Sequence, residues 1–193
     1  MEHLQPIGGV VALVEAIAAL AFAVIAYRLY IVYTRLGLGS LESGFAGFTL
    51  LSASSLAMML ASLVSSPRAS FSIYVASSVL AVGGLYLLAP RRGLGVVIPL
   101  GGLKVLVALF DYLAGVMGFA AAQAARGPAR ILLAVIAVSY LVRGTSMLGG
   151  ALGMGPGMVV LVLFIGELLR AASAAALAVF YATLGGSGEE EEE

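Results

Sequence analysis

Met158-Val-Val-Leu-Val-Leu-Phe-Ile-Gly-Glu167-Leu-Leu-Arg170-Ala-Ala-Ser-Ala-Ala-Ala-Leu-Ala-Val-Phe-Tyr-Ala-Thr-Leu184 is apolar from end to end except for one acid and one base near its middle. The run exceeds the roughly 20 residues that carry a helix across a bilayer. A charge at mid-bilayer costs about 2.5–3.5 kcal/mol on insertion scales, so such residues face a bundle interior where partners exist. Spaced i and i+3, Glu167 and Arg170 share one helix face. The stretch therefore predicts a membrane helix that turns two charges toward its neighbours.

The rest of the chain is of the same kind. Of its 193 residues 62 % are hydrophobic and 10 % charged, with mean hydropathy +1.11, whereas soluble domains carry about a quarter charged residues. The fold class expected is all-α, a polytopic membrane helix bundle. Net charge is zero, but five of the ten acids are Glu189 to Glu193, so the body is net positive. No basic stripe suits nucleic acid. Cysteine is absent, and the one histidine is His3, which leaves no disulfide or thiolate metal site.

Six spans are expected, over about 8–33, 41–65, 70–89, 94–122, 131–148 and 158–184, with 185–193 a flexible acidic tail. The first lacks a positive n-region and is longer than a signal core, so it reads as a retained span. Tyr27, Arg28, Tyr30, Tyr33 and Arg35 mark its aqueous end. In the second, Ala53, Ala57, Ala61 and Ser65 recur every four residues, a small face for close helix approach. Pro99, Gly101 and Gly102 permit a break early in the fourth.

Tyr30 to Gly39 aligns without gaps on Tyr86 to Gly95, and Tyr140 to Gly149 keeps the tyrosine and a Leu-Gly. This reads either as three repeated two-helix hairpins or as shared helix-end chemistry, tyrosine anchoring and glycine capping. With strictly alternating spans, one rim holds Arg28, Arg35, Arg91, Arg92 and Arg143, and the other Arg68, Arg126 and Arg130. The bias puts the first rim in the cytoplasm and both termini outside, in a multi-pass cell-membrane protein.

The interior charges are the candidate site: Glu15, Lys104, Asp111, Arg143, Glu167 and Arg170. At about 1.5 Å per residue, Lys104 matches Glu167 in depth and Asp111 matches Arg170. The fourth and sixth helices are therefore expected side by side, joined by Lys104–Glu167 and Asp111–Arg170 pairs, with Glu15 near the second pair's level. Three readings compete: mutual compensation fixing helix register, a polar path with Glu15, Asp111 and Glu167 as titrating or ion-coordinating groups, and a retinal-like Schiff base on Lys104 with Asp111 as counter-ion. The chromophore suits a chain without tryptophan poorly.

Catalysis finds little to work with. A Ser-His protease lacks its histidine, an aspartyl protease its second aspartate, and there is no His-Glu-x-x-His site; haem lacks obvious axial ligands. No enzyme activity, cofactor or metal is expected. The serines of the second and third spans read as packing and back-bonding residues.

Ala26-Tyr-Arg-Leu-Tyr30, Thr34-Arg35, Gly44-Phe-Ala-Gly-Phe48 and Glu167-Leu-Leu-Arg170 resemble a pattern in uncharacterised small multi-pass membrane proteins of archaea. The resemblance implies a non-enzymatic membrane module of the kind attached to sensors. The function expected is a non-catalytic sensory or accessory membrane subunit acting through helix packing, its partners the lipid bilayer and a membrane protein or a second copy. The alternative is a small proton- or ion-coupled transporter or channel using the buried charges.

Overall fold

The computed structural model describes residues 5–89 and 103–184. Its elements are α1 Gln5–Leu36, α2 Glu42–Leu63, α3 Pro67–Leu88, α4 Leu103–Ala124, α5 Gly127–Ala151 and α6 Pro156–Leu184, with a short 3-10 turn at Gly39–Leu41. Each of the six helices is long and apolar enough to cross a membrane. Burial is inverted relative to a soluble protein: Leu20, Ile131 and Val179 are 64–68 % exposed while Glu15 and Asp111 are wholly buried. Only a hydrocarbon surround makes that arrangement favourable. The protein is a multi-pass, all-α membrane bundle.

The turns follow from local chemistry. Gly37 closes α1 at φ +63, its N–H donating to Tyr33 O at 2.9 Å, a left-handed cap that needs no side chain. Prolines occupy the first turns of α3 and α5, where a missing N–H costs nothing. The suspected break at Pro99 to Gly102 and the acidic tail lie outside the described residues.

Packing inside lipid relies on close contact and hydrogen bonds rather than on the hydrophobic effect. Gly47 and Gly84 bring α2 and α3 together so tightly that a Cβ on Gly84 would sit 2.8 Å from Gly47 O. Ser54 Oγ donates to Ser77 O at 2.8 Å and Ser77 Oγ donates back to Ser54 O at 2.9 Å. Each such bond is worth about 0.6 kcal/mol in a membrane. The intimate face of α2 is thus Gly47, Leu51, Ser54, Met58 and Ala61; of the expected small stripe, Ala61 lies on it and Ser65 is exposed.

Each helix packs on its sequence neighbours and α6 closes on α1, making a ring; α4 and α6 do not touch, because α5 stands between them. Direction follows from the pairings. Ser52 meets Ala19 and Tyr30 meets Phe45, so α1 and α2 are antiparallel. Gly47–Gly84, Ser54–Ser77 and Ser70–Ala61 make α2 and α3 antiparallel. Between α3 and α4, however, Ser78 meets Asp111 and Tyr74 shares a cluster with Val107. Both numbers rise together, so α3 and α4 are parallel. Gly118–Ala137 and Gly144–Ala108 make α4 and α5 antiparallel, as do Ser146–Val159 and Gly166–Ser139 for α5 and α6. Glu15 meets Arg170, and Phe48 touches both Phe22 and Tyr181, so α1 and α6 are parallel.

The ring is therefore two up-down-up units, α1–α3 and α4–α6, meeting at the parallel junctions α3–α4 and α6–α1, which are the least extensive contacts of the ring. This corrects the hairpin repeat, since α3 and α4 do not form a hairpin. It also removes the basis for placing both chain ends on one side: α1 starts at one face, the near face, and α6 ends at the opposite, far face. Ala89 and the start of α4 are likewise at opposite faces.

Candidate functional site: a buried charge network

Asp111 lies at the α3–α4–α5 meeting point, wholly buried. Its Oδ2 accepts from Tyr74 Oη at 2.9 Å and Arg143 Nε at 3.2 Å. Its Oδ1 accepts from Ser78 Oγ at 2.8 Å and Arg143 Nη2 at 2.9 Å. A carboxylate offers about four acceptor sites, and all are used here. The arginine engages it as a two-pronged fork, the strong form of this pair. Arg143 Nη2 also donates to Ser78 Oγ at 2.8 Å, and its guanidinium lies over the rings of Tyr74 (4.6 Å) and Tyr140 (5.4 Å), which add cation–π attraction. One residue from α5 thus ties α3 to α4 across the parallel junction.

The second half spans the other junction. Arg170 Nη2 pairs with Glu15 Oε1 of α1 and, at 2.6 Å, with Glu167 Oε2 one turn earlier on α6. Arg170 Nη1 donates to Tyr140 Oη at 3.4 Å, and the guanidinium lies 5.4 Å from that ring. Glu167 Oε1 approaches Arg143 Nη1 at 3.6 Å, linking the two halves through α5 and α6. Satisfaction is unequal. Asp111 is saturated, whereas Glu15 Oε2 and both oxygens of Glu167 accept no well-directed hydrogen bond, so Glu167 is held mainly through its ion pairs with Arg170 and Arg143.

The network is off-centre. Asp111 lies 8 residues from the near-face end of α4 and 13 from its far end, and Arg143 lies 8 from the near end of α5 and 16 from the other. Toward the far face every helix adds a buried apolar residue: Phe22, Leu51, Leu85, Met117, Ile136 and Leu177. Toward the near face the cover is a smaller cluster, Met58, Ala61, Tyr74 and Val107 with Met147 against it, together with Val11, Ala12 and Val14 of α1. Glu15 and Glu167 likewise lie 10 and 11 residues from the near-face ends of α1 and α6, whereas Arg170 is 14 from either end of α6.

Five of the six expected residues, Glu15, Asp111, Arg143, Glu167 and Arg170, come together; the side chain of Lys104 lies outside the described residues. Of the two pairs expected from depth, Asp111–Arg170 is corrected, and Lys104–Glu167 lies outside the described residues. Asp111 binds Arg143 rather than Arg170, and Glu167 has Arg170 and Arg143 as its ion-pair partners among the described residues. Depth fixes a level but not which helices adjoin, and here α5 separates α4 from α6. Tyr140, taken as a helix-end anchor in the repeat, is wholly buried and serves the arginines, while Tyr30 and Tyr86 are exposed. Tyr74 and Ser78 join the site from outside the set of expected residues. Tyr74, the fifth residue of the span expected at 70–89, reads from sequence as an interface tyrosine, and Ser78 resembles the other packing serines.

A groove of about 440 Å³ lies apart from the network between α1 and α2, lined by Ala26, Tyr27, Tyr30, Phe45 and Ala53 among others. Among the described residues no group of three His, Cys, Asp or Glu could hold a metal. No protein-family model, curated protein or solved structure matches this chain. The functional reading rests on the geometry of the network.

Proposed function

We propose that the protein is a non-catalytic sensory or accessory membrane module that works through the packing of its ring. The observation that carries this reading is the closed, one-sided network: the Glu15–Arg170 ion pair spans the α6–α1 junction, hydrogen bonds from Tyr74 and Ser78 to Asp111 span the α3–α4 junction, and an apolar plug lies between the network and the far face. Buried charges at the two least extensive seams govern how the three-helix units dock, and a bundle whose seams depend on one ion pair and a few hydrogen bonds to buried charges is suited to respond to a partner or a local condition.

The basic residues support one orientation. Arg28, Arg35, Arg126 and Arg130 are exposed toward the far face, against exposed Arg68 and the helix-start residue Lys104 toward the near face. Cytoplasmic rims are richer in lysine and arginine, so the far face is cytoplasmic, α1 begins outside, and α6 ends inside.

A second reading, a small proton- or ion-coupled transporter, is favoured by one observation: among the described residues three carboxyls meet two guanidiniums. Proteoliposomes with an entrapped pH reporter separate the two. The module reading expects a pH gradient to decay no faster than in protein-free vesicles. A flux that disappears in Glu167→Gln would replace it with the transporter.

A further inference from the structure

We propose that Glu15 and Glu167, brought together on Arg170 Nη2, hold one exchangeable proton between them, forming a proton-binding site served from the near face.

Among the described residues the network contains three carboxyls, Glu15, Asp111 and Glu167, and two guanidiniums, Arg143 and Arg170. An uncompensated charge in a membrane interior is costly, and binding a single proton removes the excess. The proton has one favourable place. Asp111 has every acceptor position filled by Tyr74, Ser78 and Arg143, an arrangement that requires the carboxylate. Glu15 and Glu167 meet at the same guanidinium nitrogen and keep oxygens that accept no hydrogen bond. Two carboxyls crowded together share a proton more readily than both ionise, and the proton belongs to the pair rather than to either residue.

The groups facing the pair come from every wall. Arg170 is on α6 itself, and Arg143 and Tyr140 are on α5; behind them stand Asp111 on α4 and Tyr74 on α3. The network-level residues of α2 are Ser54 and Ser55, neither charged. Lys104 begins α4 about 10 Å nearer the near face than Asp111. Binding takes a proton from near-face water onto a carboxylate oxygen, and release returns it there. The far-face plug makes the site a dead end, so occupancy reports the acidity of one side. The site stands or falls independently of whether the ring signals.

The test is infrared titration of the full-length protein in nanodiscs, following the C=O band of protonated carboxyls. The expected result is one carboxyl equivalent that appears and disappears with pH, shifts in protein carrying 13C-carboxyl glutamate, and does not shift with 13C-carboxyl aspartate. The isotope arm needs no variant, so it decides the matter even if substitutions misfold. In folded variants the band is lost in Glu15→Gln and in Glu167→Gln and kept in Glu42→Gln. Absence of a titrating glutamate band overturns the proposal, as does a band on aspartate. Loss of the band on adding sodium or potassium at constant pH would show a metal cation as the occupant and overturn it equally.

Discussion

Replacing Arg143 with methionine removes the fork to both Asp111 oxygens, the bond to Ser78 and the ion pair to Glu167, while keeping similar apolar bulk. Neutral hydrogen bonds between membrane helices contribute about 0.6 kcal/mol, at most about 1.7. Removing one partner of a buried ion pair costs about 3–5 kcal/mol, because the other charge stays buried. The second effect dominates here: Arg143 and Asp111 are at most 1 % exposed, and Glu167 loses one of its two cations. Arg143→Met should lower stability by about 3–5 kcal/mol, roughly a 10²- to 10⁴-fold shift in the unfolding equilibrium. Tyr74→Phe, which deletes one neutral donor to the same carboxylate, should cost no more than about 1.7 kcal/mol. Adding Asp111→Asn to Arg143→Met should recover at least a third of the loss, because the stranded charge goes with it. Reversible unfolding in mixed micelles, followed by far-ultraviolet circular dichroism since the chain has no tryptophan, measures these three variants and the Asp111→Asn single. A loss below about 1 kcal/mol, the level of an exposed ion pair, or a double variant as poor as the sum of the singles, would refute the reasoning.

Gly84→Ala should destabilise by about 1–3 kcal/mol, since the new Cβ meets a backbone carbonyl at 2.8 Å that cannot turn aside; the same unfolding measurement reads it. Arg170→Met should loosen the α6–α1 seam, seen as faster hydrogen exchange at the near-face ends of both helices, with α2–α3 unchanged. Because the ends of the ring lie at opposite faces, a fluorescent-protein fusion after the last residue should fluoresce in cells, and an alkaline phosphatase fusion there should be inactive. The reverse pattern would invert the proposed orientation.

Much of the architecture was legible because lipid leaves few choices. Hydropathy alone marks the apolar runs, and Glu167 and Arg170 in one of them require an interior. The gathering of Glu15, Asp111, Arg143, Glu167 and Arg170 follows from the cost of isolated charges in hydrocarbon. Which acid meets which base does not, because depth is a one-dimensional coordinate and adjacency around a ring is set by packing. The Asp111–Arg143 pair is decided by Gly144 and Gly115, which let α4 and α5 approach closely, and isolated glycines carry no label naming their partner. Tyr140 misled for a related reason: a tyrosine near a Leu-Gly pair resembles an interface anchor until its hydroxyl is found beside Arg170. The parallel α3–α4 seam was the least legible feature, since alternating spans assign opposite directions to consecutive helices.

That seam places Asp111 beside Ser78 and divides the ring into two three-helix units, so its direction is the most direct test. The chain has no cysteine, and Ala69 and Gln123 are both exposed, so Ala69→Cys with Gln123→Cys can carry a spin-label pair for a pulsed electron-resonance distance in nanodiscs. With Ser78 level with Asp111, Ala69 lies nine residues from that level toward the near face and Gln123 twelve residues from it toward the far face. At about 1.5 Å per residue the labels should be roughly 30 Å apart or more. A distribution centred near 10–15 Å, about the spacing of adjacent helices, would mean that α3 and α4 form a hairpin and would contradict the account.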